Sequence, residues 1–412
     1  MRGSPIVLLL LSAACSAPPA GTADGPGNDQ SVLLHSDGPR GPGPVDVVVE
    51  TASPPPTSPA LARLDDGTPV RIDVLPQTGT AKTTRMRLRF VDPQPFSDDG
   101  LPHHLVLHFA ATPPKTDGFA LAESEGCQQL SLRGRPVWRR HDRFDPKDFD
   151  ATFKPYHDLF DPLGTTQITK GLGGTYPHHR GLFVGWNKTE VGGKSLDFWH
   201  CTQGRHQVRV DGTTSLFPVV ADSTDIVEWR DTDEHPVVRE TRKLSVWDTG
   251  DEQRVIDVEV TLDALGTTRI HLDGDPQHAG CQVRLAEEVS THQADTRYVR
   301  SAGAQDKGND VWADCSFACI HAKVGDVDCV VLHASHPSNK GPFVYSTRSY
   351  GRLGSFQAFD LVPGSPVTLR YRLVIATEQH PGACADPAAA SADWSVTVTA
   401  QGEASPFRFF RF

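Results

Sequence analysis

Ile256-Asp257-Val258-Glu259-Val260-Thr261-Leu262-Asp263 alternates apolar and polar residues without a break. Successive side chains of a strand point to opposite faces, so this stretch puts its aliphatic residues on one face and its polar residues on the other. It reads as a half-buried strand. The same period recurs outward in both directions. Leu369, Tyr371, Leu373 and Ile375 alternate with Arg370, Arg372 and Val374; far upstream, Arg85-Met86-Arg87-Leu88-Arg89-Phe90 repeats the pattern and Leu105-Val106-Leu107-His108-Phe109 continues it. Turn signals such as Asp211-Gly212, Asp273-Gly274 and Pro363-Gly364 punctuate these runs. No long segment carries a helical period with caps. With 36 Gly and 33 Pro in 412 residues, the composition suits a turn-rich β protein and suits a helical bundle poorly. The predicted fold is all-β, a large antiparallel two-sheet sandwich over residues 121–380.

The start of the chain reads differently. Arg2 supplies a positive charge, Ile6 to Leu11 is compact and apolar, and Ser12-Ala13-Ala14-Cys15 follows. A stretch this short falls below the ~20 apolar residues that span a bilayer and reads as an export signal over residues 1–15. Small residues before a cysteine resemble a bacterial lipobox, so Cys15 is the expected lipidation site. Ser12 stands where a lipobox usually has Leu, which leaves cleavage without a lipid as the alternative. The expected location is the periplasm or cell surface, with a lipid anchor holding the chain to the membrane. Residues 16–60, including Ser53-Pro54-Pro55-Pro56-Thr57-Ser58-Pro59, are rich in Pro, Gly and Ser and are expected to form a disordered tether. Residues 61–120 read as N-terminal strands or a small module, and 381–412 as a C-terminal tail.

A formal net charge of −11 without a long basic run argues against a nucleic-acid partner, because neutralising phosphates takes clustered Lys and Arg. No GxSxG, Walker loop or GxGxxG with a following helix occurs, which disfavours a serine hydrolase, an ATPase and a nicotinamide enzyme. Cys315, Cys319 and Cys329 lack paired CxxC spacing and are read as small buried hydrophobes. Glu240 and Arg242 are read as solvent-face charges.

The densest unusual segment is Tyr176-Pro177-His178-His179-Arg180-Gly181-Leu182-Phe183-Val184-Gly185-Trp186, followed by Leu196-Asp197-Phe198-Trp199-His200-Cys201 and Gly204-Arg205-His206. Gln277-His278-Ala279-Gly280 with Arg284 comes later, then His336-Pro337-Ser338-Asn339 and Arg348-Ser349-Tyr350-Gly351. In these motifs and their order, roughly over residues 125–378, the chain resembles the bacterial PmoA-like family, named after a methane oxygenase subunit. The resemblance implies a sandwich like those of aldose mutarotases and polysaccharide lyases. The name points to an integral membrane protein, yet no segment here approaches ~18 consecutive apolar residues.

Histidines beside a carboxylate suit acid–base chemistry near neutral pH. The expected catalytic residues are His178, His179, Arg180, Asp197, His200 and His336. Arg180 would fix a carboxylate or stabilise developing charge, and Asp197 would orient a histidine. The expected substrate-binding residues are Trp186, Trp199, His206, His278, Arg284, Asn339, Arg348 and Tyr350, the aromatics offering faces to a sugar ring. No cofactor is required by the pattern; a divalent metal is the alternative, on His178, His200 and His206 with Asp197. The expected function is carbohydrate processing as an epimerase, lyase or hydrolase, with a small molecule or glycan as ligand. The alternatives are a non-catalytic glycan-binding or surface-assembly lipoprotein and a metal-dependent oxygenase-related protein.

Overall fold

A computed structural model of the chain describes residues 30–51, 60–64, 66–80, 83–96, 103–108, 118–124, 126–395 and 398–402. Two large antiparallel sheets dominate. The strand quoted first, Arg254–Ala264, lies inside an eight-stranded sheet, paired with Pro236–Trp247 on one side and Val367–Thr377 on the other. Ile256, Val258, Val260 and Leu262 are all buried, and the alternate residues pair outward, Asp257 with Arg372 and Glu259 with Arg370. A ten-stranded sheet lies against it, and one apolar core joins them. Val258, Leu369 and Leu373 enter it from the first sheet, and Val184, Val283 and Leu353 from the second. The all-β sandwich is therefore as expected, with a four-stranded sheet beside it.

A seven-stranded sheet with its own core, including Val45, Val47, Ile72, Leu88 and Phe90, is built mostly from the N-terminal residues. It meets the sandwich through buried polar contacts. Asp73 accepts from the Val219 and Val220 N–H groups at 3.0 Å, and Arg89 reaches Asp222 at 2.6 Å. This corrects the tether expected over 16–60, because Gln30–Ser36 and Gly43–Thr51 are strands of that sheet. Averaged composition hid the alternation of Val45, Val47 and Val49, all buried. The expected tail is also structured in part: Pro387–Ser395 is helical, and Val398–Gly402 pairs with Gln30–Ser36. The export signal, Cys15 and the proline run at 53–59 lie outside the described residues.

Glu240 and Arg242 are corrected too. They share strand parity with Val238, Leu244 and Val246, so they point into the core, where Arg242 Nε donates to Glu240 at 2.6 Å. The seven described cysteines are unpaired, and six are buried. Among the described residues, no helix is long and apolar enough to cross a membrane.

Candidate functional site

The site sits on the face of the ten-stranded sheet that points away from the core. Leu182, Val184 and Trp186 face inward, so alternation turns Phe183 outward, where it packs with Tyr156 and Trp199. Cys281 and Val283 face inward as well, which turns Arg284 outward. Three connecting segments lie over this face: residues 176–180 lead into Leu182–Trp186, 197–201 follow Lys194–Leu196, and 275–278 lead into Ala279–Arg284.

Two of these segments are the same local device. In each, an aspartate folds back three residues onto a histidine. Asp197 accepts from the Trp199 and His200 N–H groups at 2.9 and 2.8 Å, and its other oxygen meets His200 Nδ1 at 2.8 Å. Asp275 accepts from Gln277 N–H at 2.7 Å and meets His278 Nδ1 at 2.8 Å. Such turns suit Asp because its short side chain reaches the backbone two residues on. With Nδ1 engaged, each ring is left with Nε2 to offer. The His200 and His278 rings are 4.8 Å apart, and His178 is 4.6 Å from His200. Nitrogens of His178, His200 and His278 lie within 4.8 Å of one another. This is a group able to hold a metal ion, and its carboxylate-to-Nδ1 bonds are the outer contacts that fix metal-binding imidazoles elsewhere.

Burial pushes the His178 imidazole down to about 3, helped by the neighbouring His200, and its Nε2 has no hydrogen-bond partner. Burial also lowers His278, although the bond to Asp275 opposes it. Burial pushes Asp197 up, but the hydrogen bonds from His200 outweigh that and its carboxyl ends below the usual range. His179 stands 4.3 Å from His178, 3% exposed, with both ring nitrogens unpartnered. Burial, with Arg284 nearby, lowers it strongly. Neutral imidazoles with free nitrogens are what a metal or a proton donor requires.

Aromatic rings and guanidiniums border the histidines. Tyr176, 48% exposed, holds a left-handed backbone with φ 57° and lies 5.3 Å from His179 and 5.9 Å from Tyr350. A non-glycine residue in that region carries strain of order 1 kcal/mol or more, which the surrounding structure must offset. The Arg284 guanidinium covers the Tyr350 ring at 4.0 Å, and Arg352 approaches it at 5.8 Å.

The structure brings together His178, His179, Asp197, His200, His278, Arg284 and Tyr350 of the expected set, with Trp199 buried beneath, 6.1 Å from His278. Arg348 stands at the edge, held by Asp310 at 2.7 Å. The remaining expectations are corrected. Arg180 donates to the carbonyls of Ala151 and Asp150 and so ties down a short helix. Trp186 has core parity, is buried, and donates to the Gln357 carbonyl. His206 is fully buried and stacked on Phe144 at 4.1 Å, and His278 takes its place in the trio whose nitrogens could hold a metal ion. His336 bonds Ser338 and packs on Trp394, and Asn339 clasps the Arg370 backbone at 2.7 and 2.8 Å; both stand apart from the histidines. A hollow of about 500 Å³ between the N-terminal sheet and the sandwich contains none of the expected residues, and its Arg87, Arg370 and Arg372 pair with its Asp46, Glu259 and Asp257. Sequence reasoning missed Asp275, Arg352 and Tyr176. The repeated Asp-x-x-His spacing of 197–200 and 275–278 was the available signal for the first.

A model described as "Family of unknown function (DUF6807)" matches residues 128–390. The chain belongs to DUF6807. That family match covers every histidine of the site and the sandwich apart from its first strand, Phe119–Ser124, and its description names no methane oxygenase. No curated protein matches this DUF6807 member. Among solved structures it is similar to an alpha-mannosidase from Enterococcus faecalis V583, at 11% identity and TM-score 0.44, covering 91% of this chain and 46% of that one. It is similar also to a protein in the glycosyl hydrolase family 38 from Enterococcus faecalis, at 10% identity and TM-score 0.42, covering 91% and 47%. The DUF6807 chain thus spans about half the length of the solved structures it matches.

Proposed function

We propose that this DUF6807 protein is a carbohydrate-processing enzyme whose reactive centre is the His178–His200–His278 trio, with a divalent metal ion held by the three imidazoles. The observation that carries the reading is the pair of Asp-x-x-His turns, which fix two rings through Nδ1 beside a third ring with an unpartnered Nε2. Asp197 and Asp275 set tautomer and orientation; when bound, the ion would act as a Lewis acid on a substrate oxygen. Tyr176 and Tyr350 supply the faces on which a sugar ring packs. Export and lipidation at Cys15 belong to the same proposal and place the activity on extracellular or periplasmic glycans.

A metal-free reading is favoured by the His200–Asp197 pair alone. In it, His200 Nε2 takes and returns a substrate proton while Asp197 stabilises the imidazolium. Elemental analysis of protein purified without chelator separates the two. About one zinc, or another redox-inert divalent ion, per chain supports the first, and turnover with no metal supports the second. Stoichiometric copper or iron would favour the oxygenase-related alternative. Turnover is sought by NMR on a panel of neutral and acidic oligosaccharides for epimerisation, elimination and hydrolysis. Binding without turnover, unaffected in His178→Ala and His200→Ala, would favour a glycan-binding protein and overturn the enzyme reading.

A further inference from the structure

Arg284, Arg352 and Arg348 stand directly opposite one another on three neighbouring strands. Arg284 of Ala279–Arg284 pairs in register with Arg352 of Arg352–Phe356, which pairs with Arg348 of Val344–Arg348. Like charges directly opposite in a sheet are destabilising. Other buried guanidiniums are tied down: Arg242 has Glu240, Arg89 has Asp222 and Arg140 has Asp225, while Arg180 and Arg254 each donate to two or more backbone carbonyls. Here the pattern changes from one end of the row to the other. Arg348, the outermost, has Asp310. Arg352, 2% exposed, donates only to the Gln277 carbonyl and the Ser346 hydroxyl, and its Nε is unpartnered. Arg284, also 2% exposed, has Nε and Nη1 unpartnered and forms no ion pair among the described residues. The acid nearest in sequence, Glu287, is engaged by Lys170 at 3.0 Å and by the Thr175 N–H. Burial, with Arg352 adding to the effect, lowers Arg284 to about 10.

Asp275 offsets part of the Arg352 charge through space, but neither aspartate of the site forms an ion pair with Arg284 or Arg352; both are hydrogen-bonded to His200 and His278. Two buried cations next to each other, both with unpartnered donors, therefore border the trio through Tyr350 and His179. A buried charge without a partner is costly, and a guanidinium fork matches a planar or tetrahedral oxyanion. We infer that the Arg284–Arg352 pair is a subsite for an acidic group of the substrate, the carboxylate of a uronic acid or a sulfate ester, entering from the half-buried Arg348 end of the row. The inference deepens the reading above and rests on it only in assigning the anion to a sugar.

Thermal unfolding of the full chain tests it at matched ionic strength, with D-glucuronate, D-galacturonate, inorganic sulfate, glucose and sodium chloride in separate arms. Tm is expected to rise by several degrees with at least one oxyanion and to stay unmoved by glucose. The arm with the larger shift tells carboxylate from sulfate. In Arg284→Met the oxyanion shift should vanish, with affinity down roughly 10- to 100-fold, while the ligand-free protein melts at the same temperature or higher. His200→Ala should keep the shift, so a failure of the catalytic reading leaves this result standing. No oxyanion outperforming chloride, or an Arg284→Met variant that melts lower and still responds to oxyanions, would overturn the subsite.

Discussion

Arg242 and Arg284 are both buried arginines on strands of the same sandwich, yet they differ in every contact. Arg242 points into the core and is closed on all sides. It donates to both Glu240 oxygens and to the Pro155 carbonyl, while Trp229 Nε1 donates to Glu240. Its neighbours hold its pKa above the ordinary value despite burial. Arg284 points away from the core and lacks those partners, and its pKa falls. The difference teaches where to look for function: satisfied buried charge ties strands together, whereas unsatisfied buried charge beside free imidazoles awaits something from outside.

Four substitutions break or sharpen this contrast. The largest expected effect is on the closed side. Arg242→Met strands Glu240 in the core and should cost about 3–5 kcal/mol in denaturant unfolding, without any specific effect on ligand binding. His200→Ala should leave unfolding nearly unchanged and reduce turnover by roughly 10²- to 10⁴-fold, the range for a lost acid–base group. Asp275→Asn keeps the shape of its turn but weakens the hold on His278 Nδ1. It should lower metal affinity by about 10- to 100-fold in a competitive chelator titration. The smallest effect is expected at His336→Ala, a position outside the trio, where turnover should be unchanged and stability should move by no more than ~1 kcal/mol. A loss of turnover there would erase the distinction between the two motif clusters.

The fold was legible because a strand's period of two survives in a single sequence. Ile256 to Asp263 declares one buried face and one polar face, and the sandwich follows from many such strands. Parity was also enough to place Glu240 and Arg242 inside, since Val238, Leu244 and Val246 share their face; charge type overrode pattern in that reading. The candidate site was legible where chemistry clusters along the chain, as at His178, His179, Asp197 and His200. It was less legible where register brings residues together. Nothing local marks Arg352 as the neighbour of Arg284, because that pairing is set by hydrogen bonds between strands distant in sequence. His336 and Asn339 misled for the opposite reason. A loop motif has the same letters whether its polar groups serve a ligand or, as here, the adjoining Arg370 backbone.

The pairing of Val398–Gly402 with Gln30–Ser36 has a consequence for how the molecule is made. The seven-stranded sheet cannot acquire the strand Val398–Gly402 until the whole sandwich has been synthesised. Until then Gln30–Ser36 has an open edge of unpaired N–H and C=O groups, the kind that recruits strands from other chains. Joining these two strands also brings together residues more than 360 positions apart. Such distant closure slows folding. Shortening the chain before Val398 should therefore show first as self-association of the N-terminal sheet, with the histidine site on the far sheet left intact.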